Sequence, residues 1–304
     1  MAVTTKRQQF LGIPMPTLRE NLWFFFFIMP WLVGFLLFTA GPMIASVIIS
    51  FTRWELLQAP EWVGAMNWTN MVVDPLFWQS LKVTLYFTLL SVPTGLVISF
   101  LLALLMNADV KGIALFRTIY YLPSIVSGVA IALLWQWILN PKFGLLNFLL
   151  GLVGITGPQW LFSKQWVIPA FVIMGLWGVG GSMIIYLAGL QSIPTELYEA
   201  VSLDGAGFWR KIWSVTLPMM SPVVLFNLVM GMIGSMQVFT QGYVMTQGGP
   251  NNASLFYVLY LYRNAFQYFQ MGYASALAWV LFAIIALLTA LIFRTAQDRV
   301  YYQA

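Results

Sequence analysis

Six stretches of this chain are apolar over about twenty residues or more: about 23–50, 82–106, 117–139, 166–190, 216–240 and 273–293. A helix of about 20 mainly apolar residues crosses the hydrocarbon core of a bilayer. Lipid offers no partner to a free backbone N–H or C=O, so such a segment must close its own hydrogen bonds as a helix. This pattern predicts an all-α integral membrane protein with six transmembrane helices. None of the six carries an ionisable residue in its central part; Lys82, Arg117 and Arg294 stand at ends. Composition agrees. Of 304 residues, 61% are hydrophobic and 8% charged, against about 45–50% and about 25% in a soluble domain.

The run beginning at Leu22 is too long for a signal-peptide core of about 7–15 residues, so it reads as an uncleaved first span. The expected organisation is an N-terminal tail over 1–22, one membrane domain over 23–293 and a C-terminal tail over 294–304. Two further apolar pieces are too short to cross: Phe143 to Ile155, read as interfacial or re-entrant, and Phe256–Tyr262.

The chain has no cysteine and no histidine. That excludes disulfides, Cys/His metal sites, haem ligation and every His-based proton relay. No catalytic residue, metal or cofactor is expected in the chain, and it should not act as an enzyme by itself. The net charge of +5 comes without a basic stripe interleaved with aromatics, so no nucleic-acid partner is expected. The basic residues instead set topology. Lys6, Arg7, Arg19, Lys111, Arg117, Arg210, Lys211, Arg294 and Arg299 fall on one side of six spans, and Arg53, Lys82, Lys142, Lys164 and Arg263 on the other. The excess on the first side favours both termini in the cytoplasm. Lys142 and Lys164 then face outward, as solvated charges.

The densest charge cluster lies between the fourth and fifth spans. Glu196, Glu199, Asp204, Arg210 and Lys211 fall within residues 196–211. Pro194 and Glu196 suit a helix start. Leu197, Ala200 and Val201 then share one apolar face, and Asp204-Gly205-Ala206-Gly207 breaks the helix. A second short helix is expected over Phe208 to Trp213. On amphipathicity alone this is an interfacial helix.

The order of residues says more. Glu199-Ala200-Val201, three residues, Gly205, nine residues, then Val215, Thr216, Leu217 and Pro218 resembles the EAA loop of ABC importer permeases. That loop reads Glu-Ala-Ala, three residues, Gly, nine residues, Ile, any residue, Leu-Pro; the departures are Val201 and Val215. The segments 116–135, 243–254 and 262–282 resemble permeases of the carbohydrate-uptake branch, of maltose or glycerol-3-phosphate type. The resemblance implies the type I ABC importer permease fold, with a cytoplasmic coupling helix in the loop 194–218. It implies that Glu199, Ala200, Val201, Asp204, Gly205 and Pro218 belong to the loop that couples to a separate ATPase, with Glu199, Ala200 and Gly205 transmitting ATP-driven closure to the spans. It also implies the partners: a second, different permease chain, two copies of an ATP-binding subunit that use ATP and Mg, and an extracytoplasmic sugar-binding protein.

A polar solute needs a path. In the fifth span, Asn227, Gly231, Gly234 and Val238 fall within about 60° on a helical wheel of about 100° per residue. Gln241 lies alongside, and Ser235 and Gln237 flank the stripe. Amides donate and accept, which suits hydroxyl-rich ligands, although helix packing gathers the same residue types. TQGGPNN (246–252) lacks the Lys-Ser/Thr of a phosphate loop and reads as a turn. The function expected is carbohydrate import by alternating access. The alternatives are a permease for glycerol-3-phosphate or another polar solute, and an ion-coupled carrier. All nine acidic residues lie in tails or loops, which argues against proton coupling.

Overall fold

In a computed structural model, residues 9–10, 13–296 and 300 are described; Lys6, Arg7 and Arg299 of the expected tails lie outside them. Two short antiparallel pairs occur, β1 (Gln9–Phe10) with β2 (Ile13–Pro14), and β3 (Thr52–Arg53) with β4 (Glu61–Trp62). The rest of the secondary structure is helical.

The first span comprises α1 (Met15–Phe35) and α2 (Gly41–Ile49), joined without a break by a π-helical turn over Leu36–Ala40. Helix therefore begins at Met15, inside the expected N-terminal tail. The most apolar part of Glu20–Ile49 is 0% buried within the chain. Only α2 packs on a later span, where Trp279 Nε1 donates to Ser46 Oγ at 3.0 Å.

After α3 (Met66–Val73), α4 (Pro75–Met106) forms the axis of the molecule. Its start is set by Asp74, whose Oδ1 accepts from Leu76 N at 2.8 Å, and by Pro75 at the first helical position, where a missing N–H leaves no bond unmade. Its other end is closed by Arg117, whose Nε and Nη2 donate to Met106 O at 3.1 and 2.7 Å. At 1.5 Å per residue the 32 residues reach about 48 Å, longer than a ~30 Å hydrocarbon core.

Spans three, four and five are bent. α5 (Ile113–Tyr121) with its 3₁₀ turn meets α6 (Gly128–Ile138) at 100°; α7 (Leu145–Leu152) follows as a short surface helix; α8 (Val167–Trp177) meets α9 (Gly180–Gln191) at 50°. After α10 (Thr195–Leu203), the leg made of α11 (Phe208–Lys211), a π turn and α12 (Leu217–Met219) meets α13 (Ser221–Met236) at 69°. The breaks follow from sequence: Pro123 in the first, glycines around Gly178 in the second, Pro218 and Pro222 in the third, each removing a donor or loosening the backbone. The expected short helix 208–213 thus continues to Met219. α14 (Tyr257–Tyr262), the apolar piece too short to cross, sits in the core with Phe256 and Tyr257 fully buried. α15 (Met271–Ala296) is the sixth span. Six spans result if each bent pair counts as one, three of them continuous.

Two apolar cores result. The larger joins α4, α8, α13, α14 and α15 around Phe171, Phe256, Tyr257 and Leu277. The smaller joins the far end of α4 to α9 and the leg before α13 through Ala103, Met106, Tyr186, Leu190, Val215 and Met220. Close backbone packing is enforced where a Cβ would not fit: at Gly272 it would press into Thr52 O, and at Gly180 into Tyr120 O.

Candidate functional site

The loop 194–218 is built as a wedge with one face tied down and one face bare. α10 begins just after Pro194, with Glu196 in its first turn. It ends in a Schellman arrangement: Gly205 N donates to Ser202 O at 3.0 Å and Ala206 N to Val201 O at 3.1 Å. That geometry requires a left-handed residue, and Gly205 supplies it at φ +74°. Ala206 is buried beneath the turn.

The apolar face is not quite the one read from the sequence. Tyr198 and Val201 pack on the smaller core, and the Tyr198 hydroxyl shares a hydrogen bond with Thr216 Oγ1 at 3.0 Å. Leu197 and Ala200 instead stay exposed and line a groove of about 640 Å³ with Val215 and Pro218. Thr216 is 2% exposed. The sequence pattern missed Tyr198 because an aromatic with a polar tip scores weakly as apolar; its spacing of three from Val201 was the available signal. Away from the smaller core Glu196, Glu199, Ala200, Leu203 and Asp204 are exposed at helical spacing, Glu196 and Ala200 also lining the groove, and Leu203 is 90% exposed.

The residues expected on one stripe of the fifth span are divided by the structure. Asn227 is buried and its Nδ2 donates to Val223 O at 3.0 Å; Ser235 is buried and donates to Met232 O at 2.9 Å. Gly231, Gly234 and Gln237 are exposed, together with Met230. Within α13 the division is set by which neighbours pack on each residue, and α13 itself ends at Met236. Residues 237–240 are not continuous helix, so a projection at about 100° per residue does not carry through to Val238 and Gln241.

What the structure brings together instead are three breaks. A Cβ on Gly128 would lie 3.8 Å from Thr240 Cγ2, and one on Gly181 would lie 3.9 Å from Ser124 Cβ. The breaks of spans three and four and the interruption that follows α13 therefore adjoin one another, while the 69° bend of span five lies at the other end of α13. Gln136 Nε2, on α6, reaches Met245 O at 3.4 Å and links the third span to the π turn over Gly242–Thr246. Gln241 precedes that turn and is half-buried. Phe239 stacks on Tyr243 at 5.3 Å, and Tyr262 completes the aromatic group. Interrupted helices are where transporters place polar backbone and side chains within a membrane. Among the described residues no group of three or more His, Cys, Asp or Glu could hold a metal.

Residues 92–301 match the family described as binding-protein-dependent transport system inner membrane component. A probable ABC transporter permease protein of Bacillus subtilis, YesP, is 42% identical over 94% of each chain. The multiple sugar-binding transport system permease protein MsmF of Streptococcus mutans is 31% identical over 90% of this chain and 96% of its own. A solved bacterial alginate ABC transporter, in complex with a periplasmic protein bound to alginate pentasaccharide, contains a chain of the same fold. Its TM-score is 0.80 at 24% identity, over 93% of this chain and 96% of that one. With a permease fold of bent spans, a tied-down charged loop and these relatives, the chain belongs to the inner membrane components of binding-protein-dependent transport systems, the permeases of ABC transporters.

Proposed function

We propose that this chain is one permease half of an importer that carries a neutral carbohydrate across the inner membrane of a prokaryote, driven by a separate ATPase. The observation that carries the coupling role is the two-sided wedge of residues 195–219. Its bare stripe, Glu196, Glu199, Ala200, Leu203 and Asp204, is offered to the ATP-binding subunit in the cytoplasm. Its tied side, Tyr198 and Val201 against Thr216, Val215 and Met106, passes a displacement of α10 to α4, α9 and the fifth span. Gly205 holds the turn that fixes these two faces relative to each other.

Loaded binding protein docks on the outer face, two ATPase copies close on ATP and Mg below, and this permease and a second, different one swing the path outward. The sugar path runs past the adjoining breaks, with Gly231 and Gly234 leaving room, Gln237 and Gln241 supplying paired donors and acceptors, and the Phe239–Tyr243 rings offering apolar faces. Relatives named for sugar transport support a carbohydrate. No Lys or Arg lies between Lys211 and Arg263, which favours a neutral sugar over a phosphorylated polyol.

The test is to purify the chain with its native partners, reconstitute the complex and measure ATP hydrolysis with the binding protein across a carbohydrate panel. Stimulation by one neutral sugar is the expected result. An ATPase that co-purifies but responds to no sugar removes the carbohydrate assignment, and failure of any ATPase to co-purify removes the coupling role.

A further inference from the structure

We propose that α7 is a lipid-embedded anchor, lying in the leaflet on the side of the membrane opposite the 194–218 loop. Its two faces differ sharply. On the underside Leu146 and Leu150 pack on the larger core. Asn147 between them is fixed by three bonds: Oδ1 accepts from Trp160 Nε1 at 2.6 Å, and Nδ2 donates to Pro141 O at 3.2 Å and Pro158 O at 3.3 Å. The helix is therefore held at a set depth and rotation. The upper face carries Leu145, Phe148, Leu149 and Leu152, at helical spacing i, i+3, i+4 and i+7, all exposed.

Three observations favour lipid as the occupant. First, the bare face continues the exposed apolar surface of the third span. Trp137 of α6 lines one hollow with Phe143 and Phe148, and Leu133 and Leu134 extend it along the helix. Second, the local charge is of one sign. Lys142 and Lys164 flank the segment, both exposed among neighbours with no acidic residue from Val110 to Thr195. Lysines beside an apolar helix suit lipid phosphates. Third, the composition disfavours protein. A binding protein that docks and leaves would bare this face to water in every cycle, and such interfaces are no more apolar than ordinary surface. A permanent partner helix would favour small residues for close approach, and this face is leucine and phenylalanine. An interfacial helix of this kind sits with its apolar face about 5–10 Å into the headgroup boundary.

The chain has no cysteine, which makes a direct test simple. Phe148→Cys, Leu152→Cys and, on exposed backbone beyond the helix, Thr156→Cys are made singly. Each is labelled with bimane in the assembled complex in phosphatidylethanolamine/phosphatidylglycerol nanodiscs, with the unsubstituted complex as blank. Lipid carrying a nitroxide at a shallow acyl position is expected to quench the 148 and 152 labels at least about twofold more than aqueous iodide does, because a monotopic helix lies within the upper leaflet. The order is expected to reverse at 156. Quenching of 148 and 152 by iodide in the absence of binding protein overturns the proposal. So does shielding of both labels from lipid and iodide, which assigns the face to the second permease. Protection from iodide that appears only on adding binding protein assigns it to that partner and overturns the proposal as well. These readings are independent of which solute the complex carries.

Discussion

The Tyr273 hydroxyl donates to Asp74 Oδ2 at 2.7 Å. Tyr260 donates to the same oxygen, so one carboxylate caps α4 with Oδ1 and holds α14 and α15 with Oδ2. The start of α4 is thereby joined to two elements whose bonding residues lie 186 and 199 positions later in the chain. Burial alone would raise the Asp74 carboxyl, but the bonds from Tyr260, Tyr273 and the Leu76 and Phe77 backbone outweigh it and hold the group below its ordinary range. Burial, and then the bond to Asp74, push Tyr260 up to about 12.

Asp74→Ala should lower the unfolding temperature measured by intrinsic tryptophan fluorescence. A lost cap is worth ~1 kcal/mol and two part-buried hydroxyls losing a charged acceptor about 1–3 kcal/mol. Asp74→Asn keeps a capping oxygen and should lose less. The pH dependence follows from the sign of each shift. A depressed carboxyl contributes stability throughout the neutral range that is lost as pH falls through its lowered value. The raised tyrosine contributes stability that is full below 10 and lost as pH rises toward about 12. The wild-type Tm should therefore fall more steeply than that of Asp74→Ala at strongly acidic pH.

Gly205→Asp and Glu199→Lys should leave folding largely intact and uncouple uptake. A Cβ at Gly205 meets nothing within 4 Å, so its cost is the left-handed backbone alone, about 1–2 kcal/mol. Glu199 is exposed. Reconstituted complexes of either variant should show a near-wild-type Tm and lose most binding-protein-stimulated ATP hydrolysis. Normal transport in both removes the coupling role of the loop.

Leu203→Asp tests the bare stripe itself. At 90% exposure the substitution should change the stability of the permease by no more than about 0.5 kcal/mol. Co-purification of the ATPase through a tag on this chain should nevertheless drop several-fold. Tyr198→Phe, which removes the bond to Thr216 but keeps the ring, should leave ATPase binding intact and reduce the stimulation of hydrolysis by loaded binding protein.

Gly234→Leu should block the path without disturbing the chain, since a Cβ there has open space. Uptake should fall toward background while unstimulated ATP hydrolysis persists. Gln237→Ala should raise the half-saturating sugar concentration in a vesicle uptake assay, because a hydroxyl loses a neutral partner worth about 0.5–1.5 kcal/mol. Asn227→Ala should act on stability instead, since Asn227 bonds within its own helix.

The sequence alone determined the solvent of this protein, a property of local composition: apolar length decides whether a segment enters lipid. It also contained the wedge, because a left-handed turn at Gly205 and the spacing to Pro218 are local. The bends, and what they bring together, were decided by tertiary structure. Pro123, Gly178 and Pro218 mark places where a helix can break, but the angles of 100°, 50° and 69° depend on what each half packs against. The smaller core around Tyr186 and Met220 and the approach of Gly128 to Thr240 have no signature in any one segment. For the same reason the polar stripe of the fifth span looked continuous in sequence and is divided in space. A helical wheel assumes an unbroken axis, and burial of Asn227 beside exposure of Gln237 is set by neighbours that only the folded chain supplies.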